Sequence, residues 1–136
     1  MAETSDQTHN ELRESNESAN EHVYRVISRS DWESAQHLGA VQMSGLDERD
    51  GFIHLSTKRA ALETANLYFK PTDEPIVLKL STRALGSSLR WEVVESRGGH
   101  RFPHLYESEL PLSAVRCLIQ LEMSAGRLTW GTESNT

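Results

Sequence analysis

The chain has a single cysteine, Cys117. No disulfide can form within it, and every zinc site that needs two thiolates is excluded. Nowhere do 18 apolar residues run together, and the first residues supply neither the basic nor the apolar segment of a secretory signal. Bases are in short supply, with 14 Lys and Arg against 20 Asp and Glu for a net charge of −6. Binding long nucleic acid by charge requires a basic stripe that displaces counterions, which this balance disfavours. These absences lead to the expectation of a soluble, cytoplasmic protein with a small-molecule ligand and no membrane partner.

The deficit of positive charge is concentrated at one end. Glu3, Asp6, Glu11, Glu14, Glu17 and Glu21 stand against Arg13 alone, and only Met1, Ala2, Leu12 and Ala19 are apolar over the first 21 residues. Such a segment buries too little apolar surface to offset its ordering entropy, so 1–21 is expected to be a disordered acidic tail. The polar end, 131–136, is likewise expected to fray. Between them, 22–130 has the length and composition of one domain with a core of its own.

Within that domain, His22 to Ile27 is rich in β-branched and aromatic residues and reads as a strand. Ser30 with Glu33 three positions on suggests a capped helix that stops at Gly39. The charged stretch through Asp47, Glu48, Arg49 and Asp50 reads as a loop leading into a strand at 51–56. Alternation there sets Ile53 and Leu55 on one side and Phe52, His54 and Ser56 on the other. Ala61, Leu62, Ala65, Tyr68 and Phe69 recur at helical spacing until Pro71, with Ser56 or Thr57 as cap. Residues 75–80 are nearly all apolar, as in a covered central strand. A further strand at 89–95 sets Arg90, Glu92 and Val94 on one face. Gly98 and Gly99 make a turn, 102–106 is extended around Pro103, and 114–121 closes the pattern as an alternating strand. About two helices against some five strands implies α+β rather than a doubly wound parallel sheet.

Common catalytic signatures are missing. Gly98–Gly99 is followed by neither a Lys–Ser or Lys–Thr pair nor a helix, so it is not a phosphate loop, and the serines sit in no nucleophile elbow. Polar residues placed where packing does not demand them remain: His54, Arg90, Glu92, His104 and Tyr106, with Arg97 and Arg101 on the glycine turn. A strand histidine offers a ring nitrogen for proton transfer or a ligand hydroxyl. Arginines supply bidentate partners for phosphate, and a carboxylate can oppose developing positive charge. Each also has a bland role: His54 as a structural hydrogen bonder, Arg90 and Glu92 as a surface ion pair, His104 and Tyr106 as core edge, and Cys117 as an inert buried thiol.

The succession Gly51-Phe52-Ile53-His54-Leu55-Ser56, a helix, an apolar strand at 76–80, Leu89-Arg90-Trp91-Glu92 and Phe102-Pro103-His104-Leu105-Tyr106 resembles the uncharacterised bacterial domain family 952. That resemblance implies a fold similar to the ADP-ribosyltransferases: two small packed β-sheets gripping NAD between them. The histidine, helix and apolar strand are also similar to the NAD-binding half of the RNA 2′-phosphotransferases. Carried onto single positions, it implies that His54 contacts the ribose beside nicotinamide, that Tyr106 or Tyr68 stacks on nicotinamide, and that Glu92 stands in for the catalytic glutamate, on a different strand from the usual one.

The expectation is therefore an NAD or nucleotide site that transfers ADP-ribose. His54, Glu92 and His104 are its catalytic candidates, and His54, Ser56, Arg90, Arg97, Arg101 and Tyr106 bind the cofactor. A non-catalytic module for an anionic small molecule is the alternative. A metal-assisted hydrolase built on His54, Glu92 and His104 is a third reading, unsupported by any short-range histidine spacing.

Overall fold

A computed structural model describes residues 20–135. Most of the acidic tail expected over 1–21 lies outside the described residues. Asn20 and Glu21 are within them, and their carbonyls accept hydrogen bonds from Thr82.

The chain runs β1 (His22–Ile27), α1 (Arg29–Leu38), β2 (Ala40–Gln42), α2 (Gly45–Asp50), β3 (Ile53–His54), α3 (Lys58–Tyr68), β4 (Ile76–Ser81), α4 (Thr82–Leu85), β5 (Leu89–Val94), β6 (His100–Leu105), β7 (Glu109–Pro111), β8 (Val115–Ser124) and β9 (Arg127–Asn135). All pairings are antiparallel: a four-stranded sheet β1-β4-β8-β9, a three-stranded sheet β3-β6-β5 and the small pair β2-β7. The class is α+β with small sheets, as the pattern of elements implied, and among the described residues no helix is long and apolar enough to cross a membrane.

Several local expectations are corrected. The first helix is capped by Ser28, whose side chain accepts the Asp31 N–H at 3.1 Å, rather than by Ser30. The charged stretch read as a loop is helix α2. Ser44 and Asp47 form a reciprocal capping box, and Gly51 ends it at φ 86°, where a residue with a Cβ is strained. Among the described residues four α-helices thus replace the two expected. The end expected to fray from 131 is strand β9, paired with β8 through Asn135.

The four-stranded sheet is buried on both sides. Val23, Ile27, Ile76, Leu78 and Leu80 face the smaller sheets and meet Ile53, Leu55, Leu105 and Leu110. On the reverse, Tyr24, Val26, Val77, Ile119 and Leu128 pack on Ala61 and Ala65 of α3. Alanines at these helix positions let the helix lie close on the sheet.

Asn66 of α3 ties down β9 with both ends of its amide: Nδ2 donates to the Leu128 carbonyl at 3.1 Å and Oδ1 accepts the Leu128 N–H at 2.9 Å. Asn66→Ala leaves both main-chain groups without that partner. It is expected to cost about 1–3 kcal/mol in urea unfolding, with faster amide exchange confined to β9. Unchanged exchange there would show that β8 alone holds the strand.

Candidate functional site

The three-stranded sheet sets one face aside for polar residues. Ile53 pairs with Leu105 and His54 with His104, while β5 meets β6 with Arg90 opposite His104 and Glu92 opposite Phe102. Directly paired residues share a face, so His54, His104 and Arg90 form one row and Glu92 the next. Ile53 and Leu105, on the other face, are fully buried in the core.

Aromatic rings bind the row together. Phe52 stacks on His104 with centroids 3.9 Å apart and lies 4.7 Å from the His54 ring and 5.4 Å from Tyr106. The two imidazoles are 5.8 Å apart, edge to face. The Arg90 guanidinium sits 4.9 Å over the Tyr106 ring, and among the described residues it has no carboxylate in ion-pair range.

Two hydrogen-bonded networks orient the histidines. His104 Nδ1 lies 2.7 Å from Glu92 Oε1, and the Tyr106 hydroxyl donates to the same oxygen at 2.7 Å. Burial of the His104 side chain pushes its pKa down, against the pull of Glu92. The hydrogen bonds from Tyr106 and His104 hold Glu92 below its ordinary value. The resulting state is a neutral His104 donating Nδ1–H to a charged Glu92. Donating its hydrogen to Glu92 raises the Tyr106 hydroxyl in turn.

The second network centres on Asp47, which is 1% exposed. Its Oδ1 lies 2.7 Å from His54 Nδ1 and accepts the His54 main-chain N–H at 3.0 Å. Arg25 grips both carboxylate oxygens, at 3.2 and 2.8 Å. Burial alone would raise Asp47, but the bonds from His54 and Arg25 and the charge of Arg25 outweigh it and hold the group well below the usual carboxylate range. On the outer side, His54 Nε2 lies 2.8 Å from Asp50 Oδ2. Asp50 is also lowered, first by its hydrogen bond from Arg49.

Of the residues expected to act together, the structure brings His54, Arg90, Glu92, His104 and Tyr106 onto one surface and leaves three elsewhere. After His54 the chain crosses to the four-stranded sheet, where Ser56 exchanges main-chain hydrogen bonds with Tyr24 and its buried hydroxyl lies 3.4 Å from Thr64. Arg97 is drawn to α3, bonding Glu63 at 2.8 Å and Thr64 at 3.3 Å with its guanidinium over Phe102. Arg101 pairs with Val93, on the face opposite His104, and donates to the Trp91 carbonyl. Tyr68 is exposed near Arg97, at 6.0 Å. Among the described residues no three His, Cys, Asp or Glu side chains are disposed to hold a metal ion. A hollow of about 160 Å³ lined by Arg29, Pro71, Glu74, Gln120 and Met123 shares no residue with the histidine face.

Arg25 and Asp47 went unnoticed in the sequence. The available signals were a lone charge inside an apolar strand and a Ser-x-x-Asp spacing that marks a helix start.

The profile of the family described as "Protein of unknown function (DUF952)" matches residues 26–118. The chain belongs to the DUF952 family. This DUF952 chain is similar to protein CC0527 from Caulobacter crescentus. Its crystal structure is 38% identical, with a TM-score of 0.71, and the match covers 79% of this chain and 93% of that one. The solution NMR structure of CC0527 matches at 37% identity and a TM-score of 0.66, over 79% and 90% of the two chains. No curated protein matches the DUF952 chain.

Proposed function

We propose that this DUF952 domain binds NAD or a closely related nucleotide across the histidine face of its three-stranded sheet and transfers ADP-ribose from it, as the likeness of the sequence to ADP-ribosyltransferase-like folds implies. The observation that carries the reading is the meeting of His54, Arg90, Glu92 and His104 of β3, β5 and β6 with Tyr106, just past β6, on one partly open surface.

The residues fit the two ends of the ligand unequally. His54 offers a ring nitrogen to a ribose hydroxyl, and Phe52 and Tyr106 offer flat apolar surface beside it for a base or a nicotinamide ring. Glu92 uses Oε1 for both of its bonds. Its Oε2 is left to face positive charge that develops on the sugar when nicotinamide departs. Arg90 is the cation for a pyrophosphate, since Arg97 and Arg101 are engaged elsewhere.

Calorimetry with NAD, repeated on His54→Ala, tests the binding. A loss of at least about tenfold in affinity, roughly 1.4 kcal/mol, is expected; no heat at millimolar NAD removes the cofactor, and unchanged binding in the variant removes His54. Catalysis is separated from binding by Glu92→Gln, which should keep NAD affinity while slowing nicotinamide release about 100-fold or more.

A non-catalytic module for an anionic small molecule is the second reading. It is favoured by Glu92 already serving two protein donors and by Arg90 having no carboxylate in ion-pair range among the described residues. It predicts saturable binding with no nicotinamide released by the wild-type chain.

A further inference from the structure

Strand β5 is an edge of the three-stranded sheet: β6 pairs with one side of it and, among the described residues, no strand pairs with the other. The direction of its main-chain groups follows from its neighbour. The Pro103 carbonyl takes the Leu55 N–H on the β3 side of β6. Phe102 and His104, one residue either way, therefore turn their groups toward β5, where Glu92 and Arg90 oppose them. The alternation leaves Leu89, Trp91 and Val93 with their main-chain groups on the open edge. The Leu89 N–H is spent on Gly86, and the Trp91 carbonyl takes one bond from Arg101 at 3.3 Å. The Trp91 and Val93 N–H groups, the Leu89 and Val93 carbonyls and the second lone pair of the Trp91 carbonyl face outward, where a further strand can use them. Val93, 55% exposed, adds apolar surface to this edge, and an open edge is a template for another strand.

The edge sequence Leu89-Arg90-Trp91-Glu92-Val93 is complementary to its own reverse. When two copies of β5 lie antiparallel, the outward groups require odd-numbered residues to face odd-numbered ones. Two such registers overlap most of the strand. A two-fold axis at Glu92 sets that carboxylate against its own copy, and like charges directly opposed are destabilising. An axis at Trp91 sets Arg90 against Glu92 of the second copy twice over, Leu89 against Val93 twice over, and Trp91 against Trp91. Both charged groups have capacity for this contact. Arg90 has no carboxylate in ion-pair range among the described residues, and Glu92 uses Oε1 for both of its bonds, which leaves Oε2.

We propose that the partner of this edge is a second copy of the chain. Two β5 strands pair antiparallel about Trp91 and join the two small sheets into one, with Arg90 of each copy against Glu92 of the other. The contact is isologous and closes on itself, and it sets both histidine faces on the same side of the joined sheet. The nucleotide reading assigns the same arginine to pyrophosphate and the same carboxylate to the sugar. On that reading, pairing and ligand binding compete, and nucleotide favours the single chain.

Sedimentation velocity of the ligand-free full chain over a concentration series reads the pairing, which should carry the wild type toward twice the mass of one chain. Val93→Pro removes an outward N–H at a position where an edge strand tolerates proline, and Arg90→Glu sets like charge against Glu92. Each should weaken the pairing at least about tenfold. Isotope-filtered NOE spectra of a mixture of ¹³C-labelled and unlabelled wild type test the register without any substitution: Val93 methyl groups of one copy should contact Leu89 methyl groups of the other. A wild type that stays a single chain at millimolar concentration, or a dimer without that contact, overturns the interface. Added NAD should shift the wild type toward the single chain. NAD that binds by calorimetry and leaves the dimer intact overturns the competition. A chain that pairs with the stated register yet binds no NAD supports the interface and overturns the nucleotide reading instead.

Discussion

Asp47→Ala is expected to destabilise the protein by about 3–5 kcal/mol, the range for stripping one partner from a buried ion pair. The effect is large because the substitution leaves an arginine charge in the interior. Arg25 is nearly sealed from solvent and already has one unpartnered nitrogen. Removing the carboxylate also orphans the Ser44 and His54 main-chain N–H groups and one half of the α2 capping box. Arg25→Met should cost less, because the carboxylate left behind keeps three of its donors. The double variant should lose less than the sum of the singles, the signature of coupling between neighbours. Urea unfolding of the four proteins measures the cycle. A loss below about 1 kcal/mol for Asp47→Ala would place the pair among ordinary solvated surface bridges and end its role as the brace behind His54.

Acid should unfold the protein in two separable stages. His104 is pushed down chiefly by burial. As pH falls below about 6.5, the ordinary histidine value, the unfolded chain takes up a proton that the folded chain refuses, and stability declines. The carboxylates add a second stage of the same sign. Burial raises Asp47, but its bonds from His54 and Arg25 win and hold it low, and Glu92 is held low by Tyr106 and His104. Their contribution is complete above about pH 4, near the unfolded carboxylate values, and is lost as pH falls further, because the unfolded chain protonates first. Urea midpoints should therefore be flat from pH 8 to 7, fall gently from about 6.5 and fall steeply below about 4. His104→Gln should remove the gentle stage and leave the steep one. A midpoint that rises between pH 7 and 5 would mean that the charged form of His104 is the one the fold prefers.

How far the sequence reaches can be seen residue by residue. His54 was legible because Ile53 and Leu55 demand burial, and the period of a strand then turns the histidine the other way. What joins His54 to His104 and Arg90 is register across three strands. Register between segments far apart in the chain is set by how intervening turns pack, which no local pattern encodes. Ser56 illustrates the cost of extending the alternation too far: β3 is two residues long, and the chain leaves that sheet at His54 to pair with β1. Arg97 and Arg101 looked equivalent on their glycine turn, yet one is claimed by Glu63 on α3 and the other lies on the opposite sheet face. Helix α2 was hidden by its charges, because four charged residues in succession look solvated whether or not Asp47 turns inward to meet Arg25. Strand β9 was hidden by its polarity; as an edge strand it needs main-chain partners more than apolar side chains.

The most direct measurement is a two-dimensional NMR titration of the ¹⁵N-labelled protein with NAD, using the side-chain and main-chain signals of β3, β5 and β6. Saturable shifts should centre on Phe52, His54, Arg90, Glu92, His104 and Tyr106, with Arg101 and the hollow around Arg29 and Gln120 unmoved. Shifts that gather around that hollow instead, or no shift at millimolar NAD, would contradict the claim that the histidine face is a nucleotide site.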